Sequence, residues 1–418
     1  MLTRRSLTGS SSSAIKSHNL RAILLTLLRH GQASRVRIAQ LTGLSTTTIT
    51  NLITELLLEG VVEENGTEVL NQQRGVGRPR TALRLVPGSR YAVGIHVDVG
   101  RIRVAMVDLY ASPLQTFEFT HPMDQPAEEV LAKTRQLVHQ AIDQSQVPDE
   151  NIVGIGIGAS GLVDTQEGIN VLAPSMGWHD VPLRDWFAEQ FELPVFVDNN
   201  VRAMALAESL FGAGKDVYVL AYVYSRVGVG AGFVVGGQLY RGGAGAGEIG
   251  HVTILADHGA PCRCGSTGCL ETLVSEGAIV ARARDVAADH PHSLLAQYLQ
   301  EGDSQRGHAT VHTVFDAARE GDLPACELLN ERARYMGIGL ANLVNTLSPQ
   351  MIILGGIFAQ GRDLLFPVVQ QTMRDRAFAN LGEHVVVQTP TFGFEEGVIG
   401  AASLALDAFF FKQSEVSF

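Results

Sequence analysis

His251 to Glu271 reads HVTILADHGAPCRCGSTGCLE, and it places three of the chain's four cysteines, Cys262, Cys264 and Cys269, within eight positions. The first of them follows His251 by eleven residues. Thiolates and an imidazole at that density suit a tetrahedral Zn²⁺, and Gly265 and Gly268 supply tight turns that aim three sulfurs at one point. His251, Cys262, Cys264 and Cys269 are therefore the expected metal ligands. Four protein ligands leave no coordination position for water, so the expected zinc is structural and pins the loop. A disulfide or three unrelated thiols are the alternatives, but an odd cluster cannot pair fully and nothing signals export.

Outward from the knot, Gly242 to Gly250 (GGAGAGEIG) carries Glu248, and Glu271 closes the stretch. Folding of the knot brings two carboxylates and one imidazole together on backbone too glycine-rich to fill the space, which makes a polar pocket. Alternatively, Glu248 and Glu271 orient the metal ligands or are solvated acids.

The chain has 418 residues, enough for two or three domains with buried cores. The apolar run Ala22 to Leu28 is too short to cross a bilayer and lacks a small-residue cleavage site, despite Arg4 and Arg5 near the start. A cytoplasmic location and no membrane partner are expected. Charge is divided unevenly. Residues 1 to 90 hold twelve Lys and Arg against five Asp and Glu, whereas the remainder holds 20 against 38. A basic segment on an acidic body suits an N-terminal contact with nucleic acid, the acidic part being repelled from phosphates.

Residues 1–14 are serine-rich and expected to be disordered. From Lys16 an apolar stripe, Leu20, Ile23, Leu24, Leu27 and Leu28, predicts a first helix. Ser34 is a candidate cap for a short second helix carrying Ile38, Ala39 and Leu41. Ser45 is a candidate cap for a third, Thr46 to Glu59, with Ile49, Leu52, Ile53, Leu56 and Leu57 on its inner stripe. No acid occurs between Lys16 and Glu55. A short helix, a glycine turn and a helix with a polar, acid-free front predict a helix-turn-helix. Arg35, Ser45, Thr46, Thr47, Thr50 and Asn51 are its candidate DNA contacts. Val61 to Val86 alternates apolar and polar residues around Asn71 to Arg80 (NQQRGVGRPR), which predicts a two-stranded wing. Arg74, Arg78 and Arg80 there suit a narrow, A·T-rich minor groove. A trihelical protein-interaction module is the competing reading.

After Pro87-Gly88 the chain changes character. Tyr91 to Phe119 predicts strand, turn, strand, turn, strand, followed by a helix over Ala127 to Ser145 and a strand over Ile152 to Ile157. Val217 to Tyr240 repeats the opening pattern. Two such units predict a duplicated α/β fold with a ligand cleft between its halves. A final helix from about Glu396 to Phe411 is expected to pack back on the first half.

GEIGH at 247–251, the CxCGxxGCxE spacing from Cys262 to Glu271, and LGG at 354–356 resemble the ROK family of sugar kinases and sugar-responsive regulators. With the N-terminal winged helix-turn-helix, residues 16–411 resemble its regulator branch. The resemblance implies an actin/hexokinase-like (duplicated ribonuclease H-like) α/β fold, a structural zinc, and a sugar in the interlobe cleft. It also implies a first lobe over 88–203 completed by helix 396–411, and a second, larger lobe over 204–395 with the zinc site and an oligomerisation surface. The DNA-binding domain would span 15–87. The sugar contacts it implies are Glu248, His251 and Glu271. Asn199 and Asn200 lie in the stretch aligned with ENDAN of the kinases, and Ser175 stands where the family pattern PNLGW has asparagine.

Asn200 falls at the position of the kinases' base aspartate, and an amide does not accept that proton at neutral pH. In the first phosphate turn, aligned with DxGGT, His96-Val97-Asp98-Val99-Gly100 puts an acid where a glycine would let backbone N–H groups approach an anion. The second turn, Gly228-Val229-Gly230-Ala231-Gly232, is intact. The expectation is a sugar-responsive DNA-binding repressor that does not phosphorylate its sugar, acting as a homodimer or homotetramer on a near-palindromic operator. The alternative is an active sugar kinase with an attached DNA-binding domain, which requires another base, Asp198 being the nearest.

Overall fold

The computed structural model describes residues 12–67, 80–242, 245–306 and 310–411. Helix α1 (Ser12–His30) buries Leu20, Ile23, Leu24, Leu27 and Leu28. It begins inside the stretch expected to be disordered, because an apolar-anchored helix propagates over its flanking serines more easily than it nucleates. Residues 1–11 lie outside the described residues. Ser34 caps α2 (Arg35–Thr42), its Oγ accepting from Arg37 N at 3.2 Å, and Gly43 ends the helix at φ 72°. Ser45 caps α3 (Thr46–Leu58), its Oγ accepting from Thr48 N at 3.1 Å. Ile49, Leu52, Ile53 and Leu56 are buried on α3, and Leu57 is half-buried. The wing is β2 (Val62–Thr67) antiparallel to β3 (Thr81–Leu85), with β1 (Ala33–Ser34) on the far side of β3. The wing tip over residues 71–79, with Arg74 and Arg78, lies outside the described residues.

The α/β body is a duplication. In the first lobe, β4 (Tyr91–Asp98), β5 (Arg101–Asp108) and β6 (Pro113–Thr120) form an antiparallel meander. After α4 (Ala127–Ser145), β7 (Ile152–Ala159) adds parallel to β4. A small sheet of β8 (Leu162–Asp164), β9 (Ile169–Ala173) and β10 (Trp178–Val181) and helix α5 (Leu183–Phe191) then lead to β11 (Val195–Asn199), parallel to β7. Helix α6 (Asn200–Leu210) crosses to the second lobe, so the boundary expected at 203/204 falls within a continuous helix.

The second lobe repeats the plan. A meander of β12 (Val219–Ser225), β13 (Val229–Val235) and β14 (Gln238–Tyr240) is followed by four helices of substantial length and one short one: α7 (Glu271–Val274), α8 (Glu276–Asp289), α9 (Leu294–Arg306), α10 (Val311–Arg319) and α11 (Leu323–Leu347). Then β15 (Met351–Gly356) joins parallel to β12, and after α12 (Ile357–Gln360) and α13 (Arg362–Arg376), β16 (Val386–Gln388) joins parallel to β15. Both sheets carry three meander strands, then two parallel additions on the side of the first strand.

Helix α14 (Glu396–Phe411) returns to the first lobe and lies on β4 and β7. Only glycine permits its approach: a Cβ on Gly94 would sit 2.1 Å from Val398 O, and one on Gly156 would sit 1.8 Å from Ala401 O. Its buried Val398, Ala402, Leu406 and Phe410 belong to one apolar cluster with Leu20, Leu24 and Leu27 of α1. The DNA-binding domain is thereby joined to the first lobe through a shared core. Among the described residues no helix is long and apolar enough to cross a membrane.

Backbone atoms cannot yield as a side-chain end can, so Gly156→Ala should lower the unfolding free energy by about 3 kcal/mol or more. Gly277→Ala, in α8 with open space around its Cβ position, should be neutral or stabilising by up to about 1 kcal/mol. Denaturant melts of the two variants check the contrast, and equal stability would refute the packing argument.

Candidate functional site

Between the lobes lies a cleft of about 430 Å³. Ser175, Asn199, Asn200, Glu248, His251 and Glu271, far apart in sequence, all line it. Their freedom to meet a ligand differs. Asn199 caps α6, its Oδ1 accepting from Val201 N (2.9 Å) and Arg202 N (3.3 Å) while its Nδ2 donates to Gly161 O (2.9 Å). Its oxygen is committed to the cap, while the second N–H of its Nδ2 remains for the cleft that it lines. Asn200, 5 % exposed, donates from Nδ2 to Ser160 Oγ at 3.1 Å and lies 3.5 Å from His96 Nε2. Glu271 accepts from Val229 N through Oε2 at 3.0 Å, which ties α7 to the intact glycine turn. Burial in the cleft wall raises the Glu248 carboxyl, opposed by His251 and Arg202 and reinforced by Glu271.

Asp198 is fully buried and its carboxylate is fully engaged. Oδ1 accepts from Asn199 N (2.7 Å) and Arg202 Nε (2.6 Å), and Oδ2 accepts from Arg241 Nε (2.8 Å). Arg241 and Asp198 come from opposite lobes, so this pair also bridges the cleft wall. A second bridge joins the two phosphate-type turns. Arg226, at the second turn, sits 2.9 Å from Asp98 Oδ2 and donates to Val99 O at 2.6 Å. Burial favours protonation of Asp98, but His96 and Arg226 outweigh it and hold the carboxyl below its usual range. The acid at the first turn is thus neutralised from across the cleft. Burial pushes the neighbouring His96 imidazole down to about 4, so the ring is neutral near pH 7. Sequence reasoning had Asp98 in view and passed over Arg226, whose only signal is its place beside the turn.

His251 serves two surroundings through its two nitrogens. Nδ1 is 3.5 Å from Cys262 Sγ, and Nε2 is 3.9 Å from Glu248 Oε2 on the cleft side. The ligand atoms of His251, Cys262, Cys264 and Cys269 all lie within 4.8 Å of one another, and the Cys264 and Cys269 sulfurs are 3.7 Å apart. A tetrahedron with bonds of about 2.3 Å has edges of about 3.7 Å, so the four residues fit a metal ion. Burial and the adjacent Cys262 and Cys264 sulfurs push the Cys269 thiol up to about 12. Ionisation of all three thiols near neutral pH would therefore require a cation among them. Gly268 is obligatory in the loop, with φ +69° and a Cβ position 1.9 Å from Leu255 O.

On the DNA-binding domain, Ser45, Thr46, Thr47, Thr50 and Asn51 are exposed on the front of α3. Ser45 is spent on its cap, and Thr50 Oγ1 donates to Thr46 O at 2.8 Å. Arg35 pairs with Glu64 of β2 at 3.1 Å, which ties α2 to the wing. Arg80 is exposed at the start of β3. Arg37, exposed on α2, is a basic candidate that the sequence reading missed.

The family model described as ROK family matches residues 92–408, and one described as winged helix-turn-helix DNA-binding matches residues 16–63. The xylose repressor of Caldicellulosiruptor bescii is 31 % identical over 372 residues, covering 87 % of this chain and 89 % of its own. The DNA-binding transcriptional repressor Mlc of Escherichia coli (strain K12) is 28 % identical over 403 residues, covering 95 % and 94 %. Among solved structures, a ROK family transcriptional regulator homologous to the E. coli Mlc protein superposes with a TM-score of 0.80 at 26 % identity, over 95 % of this chain and 97 % of its own. A ROK family glucokinase from Streptomyces griseus, solved with glucose and AMPPNP, gives 0.66 at 30 % identity, over 76 % and 99 %.

Elemental analysis of the purified chain should find one equivalent of a divalent metal, lost in Cys269→Ala. Retention of full metal content without Cys269 would refute the four-ligand site.

Proposed function

The chain belongs to the ROK family, and from that premise we propose that it is a sugar-responsive transcriptional repressor whose cleft binds its effector without phosphorylating it. One observation carries this reading: a winged helix-turn-helix shares a continuous core, through α14, with the lobe that walls the cleft. The regulator Mlc is similar over 95 % of this chain, too much to leave out the N-terminal domain, and the xylose repressor over 87 %.

Three features support a cleft that senses and does not catalyse. Asn200 offers an amide where family kinases place the base. Asp198, the nearest replacement, has both oxygens occupied by two arginines and a backbone N–H. Asp98 and Arg226 span the space between the phosphate turns. A nucleotide phosphate would have to displace that pair. The active-kinase reading therefore lacks a free base and an open phosphate site.

We assign the ion at His251, Cys262, Cys264 and Cys269 as Zn²⁺, from the sulfur-rich, four-ligand donor set. When bound, it supplies structural cross-linking and no open coordination position. His251 Nδ1 faces that ion, while Nε2, with Glu248 and the free oxygen of Glu271, faces the sugar hydroxyls; Asn200 and Ser175 add contacts from the first lobe.

The effector acts by shifting a conformational balance, which requires unequal affinity for the two states. α14 is placed to report it. Gly397 at its start packs on His96, and Tyr222 of the second lobe donates to Glu396. The helix is 16 residues long, about 24 Å along the axis, and Phe410 near its far end joins the α1 core. A change in lobe closure at one end is carried as rigid displacement to the other. In a homodimer or homotetramer this alters the separation of paired recognition helices, which must sit about 34 Å apart to read a near-palindromic operator. Thr46, Thr47, Thr50 and Asn51 provide base contacts, with Arg80, Arg74 and Arg78 of the wing on the backbone or minor groove.

Gel-shift titration of operator DNA with candidate sugars tests the reading: an effector should weaken DNA binding, and chelation should abolish the response to sugar. A full sugar response without metal would refute the zinc assignment's role. Coupled ATPase assays address the kinase alternative. Neither the wild type nor Asn200→Asp should show sugar-dependent turnover, since Asp98 and Arg226 still fill the phosphate site. Turnover in the wild type that Asp198→Asn removes would establish a kinase instead.

A further inference from the structure

The cleft is lined by two arginines, Arg226 and Arg263. Arg226 is neutralised by Asp98. Arg202 and Arg241, close by in the wall, share Asp198. Arg263 differs from all of these. Among the described residues no carboxylate lies within ion-pairing distance of it, and its hydrogen bond goes to the neutral Ser175 Oγ at 2.8 Å. Neither Glu248 nor Glu271 pairs with it.

Its position is defined at both ends. The backbone is held between Cys262 and Cys264 in the metal loop of the second lobe. The guanidinium is held by Ser175, in the turn between β9 and β10 of the first lobe. A long side chain tethered in this way loses less entropy when it engages a ligand. Ser175 stands where the family pattern has an asparagine, so the neutral amide donor of that pattern is replaced here by charged donors in a planar fork. Such a fork matches the oxygens of a phosphomonoester or a carboxylate better than a sugar hydroxyl.

We propose that Arg263 makes this cleft selective for sugars that carry an anionic substituent, a phosphomonoester or a carboxylate, at the end of the ring facing the cleft mouth. The carboxylates of Glu248 and Glu271 take the hydroxyls of the same ligand as acceptors, so polarity along the cleft orients the ring. The inference rests on the sugar-effector reading and adds the chemical class of the effector.

Isothermal titration of the full-length, metal-loaded chain tests it, with the neutral, 6-phosphate and uronate forms of glucose, mannose and galactose, and inorganic phosphate as the charge control. An anionic form should bind about tenfold or more tightly than its neutral parent, as a charge-assisted contact implies, and the gap should narrow at high salt. The 6-phosphate and uronate arms identify which anion is meant. Arg263→Ala should close the gap by weakening the anionic form far more than the neutral sugar, and Arg263→Lys should retain part of it. Unaltered metal content and melting temperature in both variants show that the loop is intact. Equal or weaker binding of the anionic forms overturns the inference, as does a gap that survives Arg263→Ala. A loss shared equally by neutral and anionic sugars makes Arg263 a lobe clamp and also overturns it. Inorganic phosphate binding as tightly as the sugar phosphate would reduce the site to a simple anion site. Failure of every sugar, neutral ones included, would remove the sugar-cleft reading itself.

Discussion

The backbone-to-backbone approach of α14 to β4 and β7 is the contact on which the rest of the architecture depends. It brings the last helix into the first lobe across 304 residues of chain at Gly94 and 245 at Gly156, where a single methyl group would collide with carbonyl oxygens. The helix covers the sheet, completes the lobe and then continues to α1. Residues near both termini therefore share one core. A DNA-binding module attached only by a linker would move independently of the cleft. Here its inner stripe is packed against the helix whose first turn touches His96 and Tyr222.

The polar interior follows a second constraint. Charges removed from water must be matched, because an unpaired buried charge costs several kcal/mol. Asp198 meets this with Arg202 and Arg241, and Asp98 meets it with Arg226. In each case at least one partner comes from the opposite lobe. The same pairs that neutralise the cleft wall therefore hold the lobes together. His251 shows a similar economy of placement, with one ring nitrogen toward the sulfurs and the other toward the cleft.

Much of this was legible in the chain. The cysteine spacing foretold a four-ligand cluster because tight ligand geometry needs ligands close in sequence or turns between them, and both were present. The stripes of α1 and α3 and the caps Ser34 and Ser45 could be read because local periodicity and capping depend on neighbours three or four residues apart. The repeated strand-turn pattern announced the duplication. Boundaries were less secure: α1 extends into a serine-rich stretch with no stripe of its own, and α6 runs through the expected lobe division. The first is set by propagation from an anchored stripe and the second by packing beyond the window in which periodicity operates.

What the sequence determined by itself, then, is the set of local units: a trihelical winged domain, two copies of an α/β unit, and a His–Cys knot flanked by acids. Tertiary structure alone decided which charges meet. Asp98 and Arg226 are separated by most of the first lobe, Ser175 and Arg263 by a lobe boundary, and Asn199, which reads as a ligand, also gives its amide oxygen to the cap of α6. The physical reason is that an ion pair or a long hydrogen bond leaves no periodic trace. Its partners need only the right residue type at one point in space, and only the folded lobes, closed on each other, bring those points together.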